Sequence, residues 1–218
     1  MSRIRAVAVF LFVSVLAALP AAWNLMLNDK LVLHAMVNNH HTVWGDVVFP
    51  YLTNVADGWM VVVVALVMLA VHSWRAFLMV GLSSGLSALV TQTLKRLVFS
   101  TSDRPSMFRD SLGEMTWVEG VDLHAHFSFP SGHATAAFSM CMAVTVILGK
   151  QGWAALLAAL AVLLGFSRVY LSQHFTQDVF AGAAVGIMVS LVVGSVLYRG
   201  HFATRTWLDA TPFRRQNQ

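Results

Sequence analysis

Three short clusters carry residue types that handle phosphate. Pro130-Ser131-Gly132-His133 stands directly before an apolar run. Ser167-Arg168 is followed by His174 and, four positions on, by Asp178. Lys95-Arg96 precedes Arg104-Pro105 across a stretch rich in Ser, Thr and Asp. A helix that opens at Ser131-Gly132 presents free backbone N–H groups and a partial positive charge, which suit a phosphate-like anion. Ser131 adds a hydroxyl donor, and His133 an imidazole that exchanges protons near neutral pH. Arg104 and Arg168 offer planar forks that grip phosphate oxygens two at a time. On a helix, His174 and Asp178 stack one turn apart, so the carboxylate can orient the imidazole and fix its tautomer. The other ring nitrogen is then free to act as a nucleophile.

Taken singly, these residues have plainer explanations. His133 reads as a satisfied histidine at a helix end. Lys95, Arg96 and Arg168 read as long cations snorkelling from the ends of membrane helices. A lone His-x-x-x-Asp arises by chance on many helices. A zinc site built from His174, Asp178 and either His124 or His126 is a further alternative. Otherwise His40, His41, His124 and His126 read as solvated loop residues.

The combination is more specific than its parts. Pro130-Ser131-Gly132-His133, then 33 residues, then Ser167-Arg168-x5-His174-x3-Asp178 resembles, without a mismatch, the second and third signatures of the type 2 phosphatidic acid phosphatase family. That family includes membrane lipid phosphatases and shares its site with vanadium haloperoxidases. The likeness covers about Lys95–Tyr198; the first 90 residues share it only in topology. The first signature departs from the pattern, which has Lys, six residues and then Arg-Pro. Leu97 occupies the lysine position here, and Lys95 stands eight intervening residues from Arg104, Arg96 seven. Ser100, Thr101, Ser102 and Asp103 are turn formers, so a local turn that absorbs two extra residues would bring Lys95, rather than Arg96, to the phosphate.

The resemblance implies metal-independent removal of phosphate from a lipid phosphate or pyrophosphate, with no cofactor. It implies that His174 attacks phosphorus to form a phosphohistidine and that Asp178 orients it. His133 would protonate the leaving oxygen and then activate water. Lys95, Arg104, Arg168, Ser131 and the Gly132 N–H would hold the phosphoryl oxygens. Undecaprenyl pyrophosphate, phosphatidylglycerol phosphate, phosphatidic acid and the phosphates of lipid A are the implied substrates; short loops favour a bacterial source and the first two. Two other functions fit the same residues: a phosphotransferase that passes phosphate to a second lipid, and a transporter that only binds lipid phosphate.

The elements that position these clusters follow from composition. Of the 218 residues, 57% are hydrophobic and 11% charged, against about 25% charged in soluble domains. Soluble, disordered and fibrous classes are thereby excluded, and continuous rather than alternating apolar runs argue against an outer-membrane barrel. The net charge of +4 reads as topology signals, not as a nucleic-acid surface. One cysteine, Cys141, forms no internal disulfide. Six stretches lack Asp, Glu, Lys and Arg: Ala6–Leu27, Gly58–Trp74, Ala76–Leu94, Ser131–Gly149, Gln151–Ser167 and Val179–Tyr198. With about 20 residues needed per crossing, the expectation is an all-α polytopic membrane protein with six transmembrane helices, one domain over residues 1–218. Asn28–Asp57 reads as a short interfacial amphipathic helix plus loop, and Val98–Pro130 as a polar outer loop.

With the first residues cytoplasmic, the inner segments hold eight basic residues (Arg3, Arg5, Arg75, Lys150, Arg199, Arg205, Arg214 and Arg215) and the outer segments six, in line with positive-inside bias. All three clusters then fall on the outer face, which in a bacterial inner membrane is the periplasmic side. The basic, apolar start also resembles a secretory signal peptide; its cleavage would remove one helix and leave the sidedness of the others unchanged.

Overall fold

The computed structural model describes residues 2–212, so Arg214 and Arg215 lie outside the described residues. The described chain is all helical: α1 Ser2–Leu27, α2 Lys30–Asn38, α3 Val43–Leu52, α4 Gly58–Val71, α5 Trp74–Thr93, α6 Arg109–Leu112, α7 Gly132–Leu148, α8 Gln151–Tyr170 and α9 Thr176–Tyr198. Local chemistry sets several of these starts. Asp29, Thr42, Ser73 and Ser131 each place a side-chain oxygen on a first-turn N–H of α2, α3, α5 and α7, satisfying donors that a helix otherwise leaves open. Helix α7 stops at Gly149, whose φ of 61° is the left-handed conformation that glycine reaches without a Cβ clash.

Helix α7 sits in the middle and packs on α1, α5, α8 and α9. Nearly every residue from Ala134 to Val146 is buried. Around it lies one apolar core that includes Phe10, Met79, Phe138, Met142, Ala158 and Val193. The ends of the helices give the direction of each. Arg3 Nε donates to the Val146 carbonyl at 3.0 Å, and Arg75 donates to the Leu197 and Phe202 carbonyls. Lys95, His133, Arg168 and Asp178 gather at the opposite end. Helices α1, α5 and α8 therefore run toward that end, and α4, α7 and α9 run away from it.

Four helices are long and apolar enough to cross a membrane: α1, α5 with its extension to Val98, α8 and α9. Val43–Ala56 with Gly58–Val71 makes a fifth only as a pair bent by 57°. The six full spans read from the sequence are thus four or five by length. Helix α7 has 17 residues, about 25 Å at 1.5 Å per residue; its neighbours enclose it, so it need not match the bilayer alone. Helix α4 has 14 residues. The uncharged run to Trp74 overstates it, because α4 stops at Val71 and Ser73 already caps α5. The segment before it also differs from the expectation of one short helix and a loop. It forms α2, α3 and a 3-10 turn at Thr53–Ala56, with Pro50 inside α3.

Arg75, counted from the sequence only among the inner basic residues, is buried and grips the carboxylate of Asp209 through two bonds of 2.7 and 2.9 Å. This ties the tail to the end of α9. A second close seam runs between α9 and α7. A Cβ on Gly182 would overlap the Ser131 carbonyl, and one on Gly186 the Thr135 carbonyl. Ser190 Oγ extends the seam by donating to the Ser139 carbonyl at 3.1 Å. Small residues four apart let helix backbones approach closely, and here the approach brings the heads of α7 and α9 into register. Ser131 N donates to the Asp178 carbonyl at 2.9 Å.

Candidate active site

His174 lies in the turn between α8 and α9, not on a helix. Gln173 N and His174 N both donate to the Arg168 carbonyl, at 2.9 and 3.2 Å, which folds the turn back on the end of α8. Asp178 stands in the first turn of α9 and accepts from Phe175 N at 2.9 Å. The one-helix stacking expected of the pair is therefore replaced by a turn-to-helix contact, with His174 Nδ1 3.5 Å from Asp178 Oδ2. Ser128 completes the group. Its hydroxyl donates to Asp178 Oδ2 at 2.5 Å and lies 3.5 Å from His174 Nδ1. Both His174 and Asp178 are 1% exposed. With Nδ1 facing the carboxylate, Nε2 is the ring atom left for chemistry. Sequence reading missed Ser128; its place two residues before Pro130 was the available signal.

Three cations surround this imidazole. Lys95 is buried and Arg96 exposed, so the lysine is the one turned inward, within electrostatic reach of Arg104, Arg168 and Asp178. A π-helical turn at Leu94–Val98, closed by Phe99 N on the Leu94 carbonyl, sets that direction. A tight turn follows, with Ser102 N on the Phe99 carbonyl at 3.2 Å. The turn expected at Ser100–Asp103 exists one residue earlier, and the wide helical turn before it was not foreseen. Arg104 is held by the His126 carbonyl at 3.0 Å and by the Gln173 carbonyl and Oε1, each at 3.2 Å. Arg168 Nη1 donates to Thr53 Oγ1 at 2.7 Å, while its Nε is buried without a partner among the described residues. A buried N–H of that kind is costly unless something accepts from it.

The head of α7 closes the group. Ser131 Oγ accepts from Ala134 N, so its own O–H stays free to donate. A Cβ on Gly132 would meet nothing within 4 Å, which leaves room for an anion against the first N–H groups of the helix. His133 Nε2 lies 2.8 Å from Asp57 Oδ1. Asp57 and Thr53 come from a segment that sequence reading did not connect with the site. Asp57 occupies the N-cap position of α4 with extended backbone, yet makes no cap bond. Such a bond is worth about 1 kcal/mol, and it is forgone in favour of His133. A cavity of about 420 Å³ lined by Lys95, Arg96, Arg104, His124 and His126 opens beside the cations.

Electrostatics favour a neutral His174. Burial, reinforced by Arg104, Lys95 and Arg168, holds His174 well below the usual histidine range. His34 on α2 supports the same turn, with Nε2 3.2 Å from Ser172 Oγ and its ring edge-on to Phe175. Burial first, and His41 second, lower the His34 pKa from 6.5 to about 4. The folded chain thus binds fewer protons at His34 than the unfolded chain between those values. Stability from this group is full above pH 6.5 and is lost as pH falls toward 4, by up to about 3 kcal/mol. Thermal unfolding in detergent at pH 7 and pH 4 should show that loss, and His34→Leu should flatten the pH dependence. An unchanged pH slope in that variant would remove His34 as its source.

One histidine expectation changes. His41 is not solvated: Nδ1 lies 2.8 Å from Asp46 Oδ1 and its ring stacks on Tyr170 at 4.1 Å. His126 is an exposed loop residue as expected, and its Nδ1 pairs with Asp103 Oδ1 at 2.7 Å. The zinc alternative finds no donor set, since no three His, Cys, Asp or Glu side chains converge among the described residues.

Fold and site together place the chain among all-helical membrane phosphatases. It belongs to the PAP2 superfamily, whose family model matches residues 74–201. An undecaprenyl-diphosphatase of Bacillus subtilis, BcrC, is 28% identical over 78% of this chain and 82% of its own length. A lipid A 1-phosphatase of Rhizobium johnstonii is 33% identical over 52% of this chain, which spans 44% of that relative. The crystal structure of Aquifex aeolicus LpxE superposes with a TM-score of 0.64 at 25% identity, covering 75% of this chain and 93% of that one.

Proposed function

We propose that this chain is an integral membrane lipid phosphatase that works without metal through a phosphohistidine at His174. The observation that carries the reading is the Asp178–Ser128–His174 contact set beside Lys95, Arg104 and Arg168. His174 Nε2 attacks phosphorus while His133 gives a proton to the leaving oxygen. His133 then takes a proton from water, whose oxygen displaces the histidine and releases phosphate. Asp178 holds the Nδ1–H and stabilises the cationic ring. Lys95, Arg104, Arg168, the Ser131 hydroxyl and the Gly132 N–H take the phosphoryl oxygens. Fixed cations supply the charge that Mg²⁺ supplies in many phosphoryl-transfer enzymes.

The up-and-down course of α1, α4, α5, α7, α8 and α9 supports six crossings, with the site at the outer boundary of a bacterial inner membrane. There it meets head groups whose tails stay in lipid. An apolar groove of about 330 Å³ between α1, α2, α8 and α9 reaches Val169, Thr176 and Val179, next to Arg168 and Asp178 in the chain. That neighbourhood and the relatives named as lipid phosphatases support a lipid substrate. Polyprenyl pyrophosphate and phosphatidylglycerol phosphate lead phosphatidic acid and lipid A.

The test is phosphate release from a panel of these four lipids in mixed micelles, with and without EDTA. One lipid should be turned over well above the rest, and chelation should leave its rate within about twofold of the untreated enzyme, a small change on the barrier scale. Full loss on chelation, restored by Mg²⁺ or Zn²⁺, would overturn the charge-clamp reading. Transfer to an acceptor lipid without free phosphate would identify a phosphotransferase.

A further inference from the structure

Asp57 has the residue type, the position and the backbone of a helix cap. Its φ of −76° and ψ of 154° are those of a capping residue, and its side chain caps nothing. Its carboxylate reaches across the bundle to His133 Nε2 instead. This is the second carboxylate–imidazole pair in the site, beside Asp178 with His174. The other charged groups facing His133 are Arg168 and Arg104, both cations, so Asp57 is the anion that faces this ring.

The backbone explains how Asp57 gets there. Val43–Ala56 and Gly58–Val71 diverge by 57°, and the break leaves polar groups of the intervening turn free to point at the site. Thr53 uses that freedom to accept from Arg168 Nη1 at 2.7 Å. One turn thus reaches both the cation that grips phosphate and the imidazole that moves protons.

We propose that Asp57 is a positioning residue for the acid–base work of His133, an inference that rests on the proposed role of His133 as proton donor to the leaving oxygen. The carboxylate holds the Nε2 edge of the ring and favours the cationic form that must exist before the P–O bond breaks. In the first half-reaction the proton passes from His133 to the bridging oxygen as that bond breaks and the P–N bond to His174 forms. In the second, His133 takes a proton from water as the water oxygen bonds to phosphorus and the P–N bond breaks. Asp57 exchanges no proton in either step.

Leaving groups separate this role from a purely structural one. A short-chain alkyl phosphate needs a proton on its leaving oxygen, whereas p-nitrophenyl phosphate does not. The burst of leaving-group release isolates the first half-reaction for both. For Asp57→Asn in the full chain, the burst rate with the alkyl ester should fall about 30- to 100-fold, with KM within about twofold. The p-nitrophenyl burst should stay within about threefold, and Asp57→Glu should recover part of the alkyl rate. His133→Ala should show the same selectivity with a larger loss. Equal losses on both esters, no loss on either, or a faster alkyl rate in Asp57→Asn would overturn the inference. If His133→Ala itself shows no selectivity, the acid assignment fails first and the inference with it. Should Asp57→Asn fail to fold, Asp57→Ser, which can cap α4 without a charge, must show the selective loss or the inference falls.

Discussion

His174→Ala should lower turnover of the preferred lipid phosphate by at least about 10³-fold, because a covalent route loses its attacking atom. The side chain is enclosed by Ser128, Asp178 and the three cations, so no other imidazole reaches the same point: His133 sits on α7, engaged with Asp57. The turn that carries position 174 is held by backbone bonds to Arg168, so the variant keeps its fold. Monodisperse elution and a wild-type unfolding temperature in detergent would establish that. Acid-quenched wild-type enzyme should retain labelled phosphate, and the variant none. Turnover within about tenfold of wild type, roughly 1.4 kcal/mol of barrier, would remove His174 as nucleophile.

The second large effect is expected at Lys95, and it contrasts with its neighbour. The π turn at Leu94–Val98 points Lys95 into the protein and Arg96 to its surface. Arg104 reaches the same region from a loop pinned by Arg104 N on the Ala125 carbonyl and Ser128 N on the Ser102 carbonyl, both 2.8 Å. Lys95→Ala should slow turnover by about 10²-fold or more, as for loss of one preorganised charge-stabilising donor. Arg96→Ala should change it by less than about threefold, in keeping with the small effect of exposed charges. The two variants assayed side by side on one short-chain lipid phosphate decide the matter; the reverse ranking would give the role to Arg96.

Both effects fall on residues that were legible in the sequence, and the reason is chemical. Ser131, Gly132, His133, Arg168, His174 and Asp178 are few in type and fixed in spacing, and most stand at the ends of apolar runs where charge is costly. Their convergence at one end of the bundle followed from counting those runs. Ser128, Thr53 and Asp57 were not legible. Each is an ordinary turn or cap residue by type, and Thr53 meets Arg168 across 115 positions of sequence. Only tertiary packing reveals that Asp57 leaves its own helix uncapped. Helix lengths failed for a related reason: an uncharged run does not record where α4 ends and Ser73 starts the next helix. The α9–α7 seam at Gly182 and Gly186 was present as a pattern of small residues, but its partner helix was not.

The gathering of Lys95, Arg104 and Arg168 has a thermodynamic side. Three like charges held close together repel, and the energy is recovered whenever an anion settles among them. Inorganic phosphate, the expected product, is such an anion. Binding to the folded chain alone raises stability by RT ln(1 + [L]/Kd), about 2.7 kcal/mol at a hundredfold excess over Kd. If the three cations hold phosphate as proposed, the resistance of this protein to heat should vary with the phosphate around it, and a product seated in that cradle would also hold the ends of α5, α7, α8 and α9 together.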